Sequence, residues 1–233
     1  MTSPRILVLT GAGISAESGI ATFRGPDGLW EGYRVEDVAT PQAFRRDPVL
    51  VGRFYNDRRR GLLDPSIQPG AAHHALVALE DRIGDALLIV TQNIDDLHVR
   101  AGSRRVLAMH GELLKARCEF CDEVLPWRED IPVGRTHVEA ECSGILRPHV
   151  VWFGEMPLGL DRIESAAASA DVFIAIGTSG LVYPAAAIVA STPPSCHRIE
   201  INLEPTPVSA AFDESLRGPA SVLVPQVVSR WLD

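Results

Sequence analysis

The sequence predicts an α/β protein built on a doubly wound, Rossmann-like parallel sheet. Short apolar runs rich in β-branched residues recur along the chain, helix-compatible stretches separate them, and a glycine-rich turn follows the first run. This alternation is typical of parallel strands that helices cover on both faces. The predicted strands are Arg5–Thr10, Ala86–Thr91, Asp171–Ile176, His197–Asn202 and Ser221–Val224.

The predicted helices lie between these strands, at Ala71–Asp81, Leu160–Ala170 and Pro184–Ala190. Two regions interrupt the alternation. Residues 19–68 contain many prolines and no clear strand, which indicates a loop followed by a helical insert. Residues 112–150 hold three of the four cysteines and show little periodicity, which indicates a small inserted module. The remaining segments, 1–18, 69–111 and 151–233, are expected to form the discontinuous sheet domain.

Composition excludes several classes of protein. The chain carries 22 basic and 30 acidic side chains, a net charge of -8, which argues against non-specific nucleic-acid binding. Hydrophobic residues make up 46% of the chain, as in a globular core, yet no apolar run is long enough to predict a membrane span. With no recognisable leader before Arg5 and a cysteine pattern suited to a reducing compartment, we expect a cytoplasmic protein.

The turn after the first strand reads Gly11-Ala12-Gly13-Ile14-Ser15-Ala16 and matches the loose pattern G-x-G-x-x-G/A. Glycines let a backbone approach a pyrophosphate, and the N–H groups of a following helix can bind it. A dehydrogenase should carry an acidic residue about 20 positions on, after a second strand, and residues 22–28 follow no strand. The pattern therefore favours a dinucleotide site of unusual construction over an ordinary NAD(P) oxidoreductase, with a plain tight turn as the alternative.

Five motifs in a fixed order resemble the signatures of the sirtuin family. The resemblance implies NAD-dependent removal of acyl groups from protein lysines, with NAD consumed as a co-substrate and nicotinamide and O-acyl-ADP-ribose released. The acylated lysines of other proteins would be the partners. The motifs are GAGISAESGIATFRG at Gly11–Gly25, QNID at Gln92–Asp95, HG at His110-Gly111, GTS at Gly177–Ser179 and NLE at Asn202–Glu204.

The resemblance assigns roles residue by residue. His110 would be the general base, a task that suits an imidazole with an ordinary pKa of about 6.5. Phe23 and Arg24 would lie in a loop over the nicotinamide, and Asp95 would meet the carboxamide. The further residues assigned to NAD are Gly11, Ala12, Gly13, Ser15, Glu17, Ile20, Trp30, Gln92, Asn93, Ile94, Gly177, Thr178, Ser179, Asn202, Leu203, Glu204 and Ala220.

Among the seven histidines, position alone does not single out His110, because His98 is equally plausible. The resemblance decides for His110. We expect His98 to be a packing or hydrogen-bonding residue, and His73 and His74 to lie on a helix surface.

Tyr55 and Arg58 lie three residues apart, so a helix presents them on the same face. Without further context they predict a solvated basic face, but Y-x-x-R at this place resembles class III sirtuins, where the pair grips a carboxylate on the acyl chain. The resemblance thus implies a preference for succinyl, malonyl or glutaryl groups, with some deacetylase activity. A plain deacetylase and a mono-ADP-ribosyl transferase are the alternatives.

The resemblance also places the acylated peptide, in extended form, between two loops. The first contains Val151, Phe153, Gly154 and Glu155, and the second spans residues 180–183. Pairing with main-chain groups in this way carries little sequence preference.

Cys118 and Cys121 form a C-x-x-C pair, and Cys142 lies downstream. The family pattern has two such pairs around a structural zinc, but here Glu139 stands at the third cysteine position, with His137 close by. Zinc accepts cysteine, histidine and carboxylate ligands, so we expect a structural Zn²⁺ completed by Glu139 or His137. A module that folds without metal is the alternative. Cys196 is expected to be a buried apolar residue.

Overall fold

Six parallel strands form the main sheet in a computed structural model that describes residues 3–22, 30–138 and 142–232. The predicted residues Phe23, Arg24 and Glu139 lie outside these ranges. The strand order is β3-β2-β1-β7-β8-β9, which confirms the predicted doubly wound class. The strands are β1 (Ile6–Thr10), β2 (Leu87–Thr91), β3 (Val106–Ala108), β7 (Val172–Ile176), β8 (His197–Asn202) and β9 (Glu214–Arg217).

The central strand β1 is buried along its whole length because both faces of the sheet are covered. Alternate side chains enter two different cores. Ile6 and Val8 pack in one core, and Leu7 and Leu9 pack in the other. Its neighbours are in register, with Ile6 opposite Leu87 of β2 and Val172 of β7.

Helices cover both faces of the main sheet. The helix pair α5 and α8 lies on the side of Ile6, and α7 lies on the other. No helix in the described part of the chain is both long and apolar enough to cross a membrane. The helices are α1 (Gly13–Ala16), α2 (Val35–Val38), α3 (Pro41–Arg46), α4 (Pro48–Leu62), α5 (Ala71–Ile83), α6 (Leu97–Ala101), α7 (Leu160–Ala168) and α8 (Ala220–Val228).

Most predicted elements are confirmed, with three differences. The predicted helix Pro184–Ala190 is a 3₁₀ helix, at Ala185–Ser191. The predicted strand Ser221–Val224 is wrong: these residues lie inside α8, where Val224, Val227 and Val228 pack against the sheet at helical spacing. A four-residue apolar run cannot distinguish a strand from a buried helix, and only the packing decides. The short strands β3 and β9 were not predicted.

Helices α2 to α4 form the predicted helical insert. Pro41 and Pro48 stand in the first turns of α3 and α4, where the missing N–H costs nothing. The side chains of Thr40 and Asp47 cap these helices, accepting hydrogen bonds at 3.0 Å from Ala43 N–H and 2.9 Å from Leu50 N–H. The prolines and caps therefore fix the residues at which α3 and α4 begin. The aromatic side chains of α4 pack in a buried cluster.

A separate antiparallel sheet in the order β5-β4-β6 forms the core of the cysteine-containing region. Its strands are β4 (Gly111–Cys118), β5 (Val124–Pro126) and β6 (Leu146–Val150). Arg59 of α4 is fully buried against it, and its Nε donates to the Leu113 carbonyl at 3.1 Å. The exact boundaries of the predicted domains stay a prediction.

A buried histidine pair lies between the sheet and α5. The prediction that His73 lies on the helix surface is wrong, because it is 0% exposed, whereas His74 is exposed. His98 is buried with Nε2 3.0 Å from Thr10 Oγ1, which confirms it as a packing and hydrogen-bonding residue. The two rings meet edge to face at 4.9 Å, and burial lowers the pKa of His73 to about 4 and that of His98 to about 3.

This pair should make folding sensitive to acid. Below pH about 6.5 the unfolded chain binds protons at both imidazoles while the folded protein does not, so stability falls as pH drops. We expect each histidine to cost about 2 kcal/mol between pH 7 and pH 5. Urea unfolding at the two pH values should show a smaller loss in His98→Gln than in the wild type. His74→Gln is the matched control, and an unchanged pH dependence in His98→Gln would contradict the assignment.

Candidate active site and metal centre

The predicted cofactor residues gather at one edge of the main sheet, in the loops after β1, β2, β7 and β8. The chain runs outward from β1 to β2 and β3 on one side, and then returns to β7 on the other. The strand order therefore reverses between β1 and β7. In open α/β sheets, ligands bind outside the carboxyl ends of the strands at such a reversal.

Two turns meet at this reversal with no room for side chains. Gly11 N–H donates to Ile176 O and Gly13 N–H donates to Gly177 O, both at 2.9 Å. A Cβ on Gly13 would lie 2.6 Å from the Gly177 Cα, and Gly177 itself has φ of 60°. The glycines are thus required for the approach of the β1 turn to the β7 turn. The helix that follows, α1, is a single turn.

A polar network lines the crevice next to this contact. The Asn93 amide donates to the Gly11 carbonyl and to Ser15 Oγ, each at 3.1 Å. Ser15 Oγ in turn donates to Asp95 Oδ2 at 3.0 Å, and Leu97 N–H donates to Asp95 Oδ1 at 3.1 Å. Burial raises the pKa of Asp95, against the lowering effect of these two hydrogen bonds. The network holds one amide and one carboxylate at the floor of the crevice.

His110 stands between β3 and β4, and its Nδ1–H donates to the Gln92 carbonyl at 2.9 Å. Since a carbonyl only accepts hydrogen bonds, this bond places the single proton of the neutral ring on Nδ1. Nε2 is then unprotonated and can accept a proton. Burial lowers the pKa of His110, and the bond to Gln92 raises it in part. The Gln92 side chain extends the other way, donating to Thr178 Oγ1 at 2.9 Å.

A steric constraint explains why glycine follows the histidine in the His110-Gly111 motif. Gly111 has φ of 82°, and a Cβ there would lie 2.2 Å from the His149 carbonyl oxygen. A side chain at this position would therefore push β6 away from the start of β4. Val151 N–H also donates to the His110 carbonyl at 2.8 Å, which joins the histidine to the first predicted peptide loop.

On the other side of the crevice, Asn202 donates from its amide to the Thr178 carbonyl at 2.7 Å. Ser179 Oγ accepts from Leu181 N–H at 3.4 Å. Leu203 and Glu204 are exposed after β8, while Ala220 is buried at the start of α8.

The remaining predicted cofactor residues lie around the crevice. Glu17 accepts from the Ser221 N–H and hydroxyl, and so caps the start of α8. Ile20, Trp30 and Ile94 pack against the aromatic cluster of the helical insert.

The aromatic cluster positions Tyr55. Its ring is 1% exposed, and its hydroxyl oxygen accepts a hydrogen bond from Trp152 Nε1 at 3.0 Å. Burial raises the pKa of Tyr55 well above its usual range, so the hydroxyl keeps its proton and can donate it to an acceptor. Trp152 was not assigned a role from the sequence. A tryptophan in a predicted peptide loop is a signal for such a role, because its N–H needs a hydrogen-bond partner once the ring is buried.

Arg58 lies one turn further along α4, with its side chain only 10% exposed. The guanidinium carbon lies 3.2 Å above the Phe54 ring, and Nη1 donates to the Phe54 carbonyl at 2.8 Å. Nη2 donates to Glu31 Oε2 at 3.0 Å, and the buried Nε has no partner among the described residues. Burial lowers the pKa of Arg58, and the Glu31 carboxylate offsets part of that effect.

The first peptide loop is fixed by a buried ion pair. Arg147 donates to Glu155 from Nη1 at 2.7 Å and from Nη2 at 2.8 Å, while its guanidinium stacks 3.5 Å from the Trp152 ring. Glu155 also accepts from Trp152 N–H at 2.8 Å, so its side chain points into the loop. Phe153 is 40% exposed, and Gly154 has φ of 90°. In the second loop, Leu181 and Tyr183 are exposed.

The metal ligands come together in the small antiparallel sheet. Cys118, Cys121, Cys142 and His137 each present one ligand atom, and these atoms all lie within 4.8 Å of one another. Cys142 Sγ is 3.4 Å from both other sulfurs, and Cys121 Sγ is 3.5 Å from His137 Nδ1. Three thiolates and one imidazole in this compact arrangement suit tetrahedral Zn²⁺.

The surroundings of His137 fit the role of the fourth ligand. The ring is 2% exposed with Nδ1 toward the sulfurs, and Nε2 lies 3.5 Å from the Glu123 carboxylate. A carboxylate behind a ligating imidazole is the usual outer-shell partner, because it orients the ring. Gly144 allows the approach, since a Cβ there would lie 2.3 Å from Cys118 Sγ. Cys196 lies apart, buried in the core as predicted.

Together the crevice, the histidine and the cysteine cluster define a dinucleotide-binding α/β protein with an inserted zinc module. Residues 11–184 match the model of the Sir2 family, and the chain belongs to this family, the sirtuins. It is 61% identical over 235 residues to the NAD-dependent protein deacylase of Rhodopirellula baltica, a match that covers 97% of this chain and 98% of that protein.

Solved structures show the same fold. A Sir2 homologue in complex with NAD matches with a TM-score of 0.87 and 42% identity, over 99% of this chain and 92% of the other. A Sir2 protein with a deacetylated p53 peptide and 3′-O-acetyl ADP ribose matches with a TM-score of 0.81 and 28% identity, over 97% and 93%. The chain thus shares its fold with a Sir2 homologue that was solved with NAD bound.

The geometry of the cysteine cluster predicts that zinc binding depends on His137 and not on Glu139. We expect purified wild-type protein to contain about one equivalent of zinc and His137→Ala to lose it to a competing chelator much faster, because three thiolates leave the ion incompletely held. Metal content by elemental analysis, before and after the chelator, measures this. Glu139→Ala is the matched control and should retain zinc. Loss of zinc from Glu139→Ala alone would make Glu139 the fourth ligand.

Proposed function

We propose that this sirtuin is an NAD-dependent protein deacylase that removes acidic acyl groups from lysine in preference to acetyl. The observation that carries the proposal is the state of Arg58. Its side chain is 10% exposed, with the guanidinium over the Phe54 ring, and Tyr55, three positions earlier on α4, has a hydroxyl that can donate. Such a pair suits a carboxylate at the end of an acyl chain, because the planar fork of arginine binds a carboxylate in two places.

When bound, NAD supplies the electrophilic ribose carbon that takes up the acyl oxygen as nicotinamide leaves. The residues at this edge suit the co-substrate, because an amide (Asn93) and a carboxylate (Asp95) are held beside the glycine turn that follows β1. Asn93 and Asp95 are held by Ser15, and would orient the nicotinamide end.

His110 suits the role of general base. With its Nδ1–H held by the Gln92 carbonyl, Nε2 can accept a proton from a ribose hydroxyl. The Gln92 side chain also donates to Thr178, so the same residue links the base, through its carbonyl, to the far wall of the crevice. A shift of either loop would therefore change the direction in which Nε2 points.

The lysine would reach the crevice in an extended peptide between the two loops. Phe153 of the first loop and Leu181 and Tyr183 of the second are large apolar side chains left exposed. Exposed apolar side chains that border one crevice are typical of a binding surface. Strand pairing with both loops would hold the peptide by its main chain, which fits an enzyme with broad protein substrates.

Plain deacetylation is the second candidate activity, and the Glu31–Arg58 ion pair favours it. With Glu31 at 3.0 Å, the arginine keeps one carboxylate partner even when the acyl chain brings none. A buried arginine with no partner would disfavour a neutral acyl group more strongly.

The acyl preference can be measured with a matched pair of peptides. We expect nicotinamide release with higher kcat/KM for succinyl-lysine than for acetyl-lysine. Arg58→Met should lower kcat/KM for succinyl-lysine by about 10- to 100-fold, the value of a charge-assisted bidentate bond, with a smaller effect on acetyl-lysine.

Arg60→Met is the control for this experiment, because Arg60 is an exposed arginine on the same helix. His110→Tyr should abolish activity on both peptides. Equal activity of the wild type on both peptides would remove the proposed preference and leave a plain deacetylase. NAD consumption without deacylation of either peptide would favour ADP-ribosyl transfer.

The pH profile tests His110 as the base. A base works when deprotonated, and a lowered pKa keeps it deprotonated in milder acid. Activity should therefore be lost only as pH falls below about 6.5, the ordinary histidine value. Nicotinamide release from about pH 5 to pH 9 gives the acidic limb of kcat/KM. An acidic limb above the ordinary histidine value would contradict the observed environment of His110.

A further inference from the structure

We infer that Glu31 is a specificity-determining residue, an internal carboxylate that competes with the acyl carboxylate for Arg58. The inference rests on the proposed function of Arg58 and adds a second partner to it. Glu31 pairs with Arg58 when the acyl chain is neutral and is displaced when the chain is acidic. The ratio of activities on acidic and neutral acyl groups is therefore set by the strength of this ion pair.

One edge of the Arg58 guanidinium, formed by Nε and Nη2, makes a hydrogen bond to the described residues through Nη2 alone. Nη1 is occupied by the Phe54 carbonyl, 2.8 Å away. Nη2 is bound by a single oxygen of Glu31, and Nε next to it is buried without a partner in the described structure. Nε and Nη2 together form the edge that binds a carboxylate through two parallel hydrogen bonds. An acyl carboxylate that takes both nitrogens places a second negative charge beside Glu31 at Nη2, and the repulsion between the two carboxylates favours the departure of Glu31.

Glu31 is held at this place by its own turn. Trp30 and Tyr33 pair across it, with Trp30 N–H to Tyr33 O at 2.9 Å and Tyr33 N–H to Trp30 O at 3.1 Å. Glu31 and Gly32 are the two central residues and both have positive φ, 48° and 81°. Because Glu31 is a non-glycine residue in this region, a tight turn of this kind is unusual and fixes its direction.

The packing of Trp30 brings the turn to Arg58. The Trp30 ring meets Phe54 edge to face at 4.9 Å, and the Arg58 guanidinium carbon lies 5.3 Å from the Trp30 ring centroid. The carboxylate of Glu31 is therefore placed by the same aromatic cluster that buries the arginine.

The two partners of the ion pair differ in exposure, so loss of the pair costs Glu31 less than it costs Arg58. The Glu31 side chain is 45% exposed, whereas Arg58 is 10% exposed. A displaced Glu31 regains water, so losing the ion pair costs it little. Arg58 has no water to regain and needs a carboxylate in either state. The pair thus allows a neutral acyl chain and still permits an acidic one to bind.

The test is Glu31→Gln, assayed for kcat and KM on succinyl-lysine and acetyl-lysine peptides. Without the competing charge, KM for succinyl-lysine should fall, and kcat/KM for acetyl-lysine should fall because Arg58 is left unpaired. We expect the ratio of the two kcat/KM values to rise about three- to tenfold. Glu36→Gln is the matched control, since Glu36 is an exposed acid five positions along the chain that pairs with the exposed Arg34.

Two further measurements separate the possible failures. In an Arg58→Met background, Glu31→Gln should leave the ratio unchanged, because the competition has lost its target. If Arg58→Met alters acyl preference but Glu31→Gln does not, the inference on Glu31 is wrong and the proposed function stands. If Arg58→Met has no effect on preference, the proposed function itself fails. Equal losses on both peptides in Glu31→Gln would show a structural role of the turn and would also overturn the inference.

Discussion

The contact on which the site depends is the packing of the β1 turn against the β7 turn. Gly13 and Gly177 approach so closely that no Cβ fits between them, and two backbone hydrogen bonds at 2.9 Å hold them together. This contact lies where the strand order reverses. Because parallel strands end at the same edge, closing these two turns also brings the β2 loop and the β8 loop to the crevice. Gln92 then spans it, reaching Thr178 with its side chain and His110 with its carbonyl.

The proposed acyl end of the site depends on a different feature, the burial of charged groups in an aromatic cluster. Arg58 and Arg147 both lie with their guanidinium groups over rings, Phe54 and Trp152 respectively. Each is held by a carboxylate from a neighbouring segment. Trp152 joins the two arrangements, since its N–H reaches Tyr55 while its ring supports Arg147. The proposed acyl pocket and the proposed peptide loop are therefore parts of one packed unit, and a change in the packing of either should alter the other.

The cysteine-containing module is joined by one strand to His110, the proposed general base. Strand β4 begins at Gly111, directly after His110, and ends at Cys118, the first metal ligand. The opposite strand β6 approaches Gly111 too closely for a side chain. The close approach of β6 therefore fixes where β4 starts, and so where His110 stands. A zinc ion bound at Cys118 would hold the opposite end of the same strand, and could influence activity without taking part in the chemistry.

The sequence by itself determined the four central strands, the glycine turn, the order of the site motifs and three metal ligands, because each depends on local residue type or short spacing. Tertiary structure alone decided the rest. Ser221–Val224 is helical because α8 packs with α5 in one core, and His73 is buried because its ring packs against His98 of α6. Sequence spacing left His137 and Glu139 as alternatives for the fourth ligand. Only the structure brings the His137 imidazole together with the three cysteines. Glu31 reaches Arg58 across 27 positions of chain, a contact that no local pattern encodes.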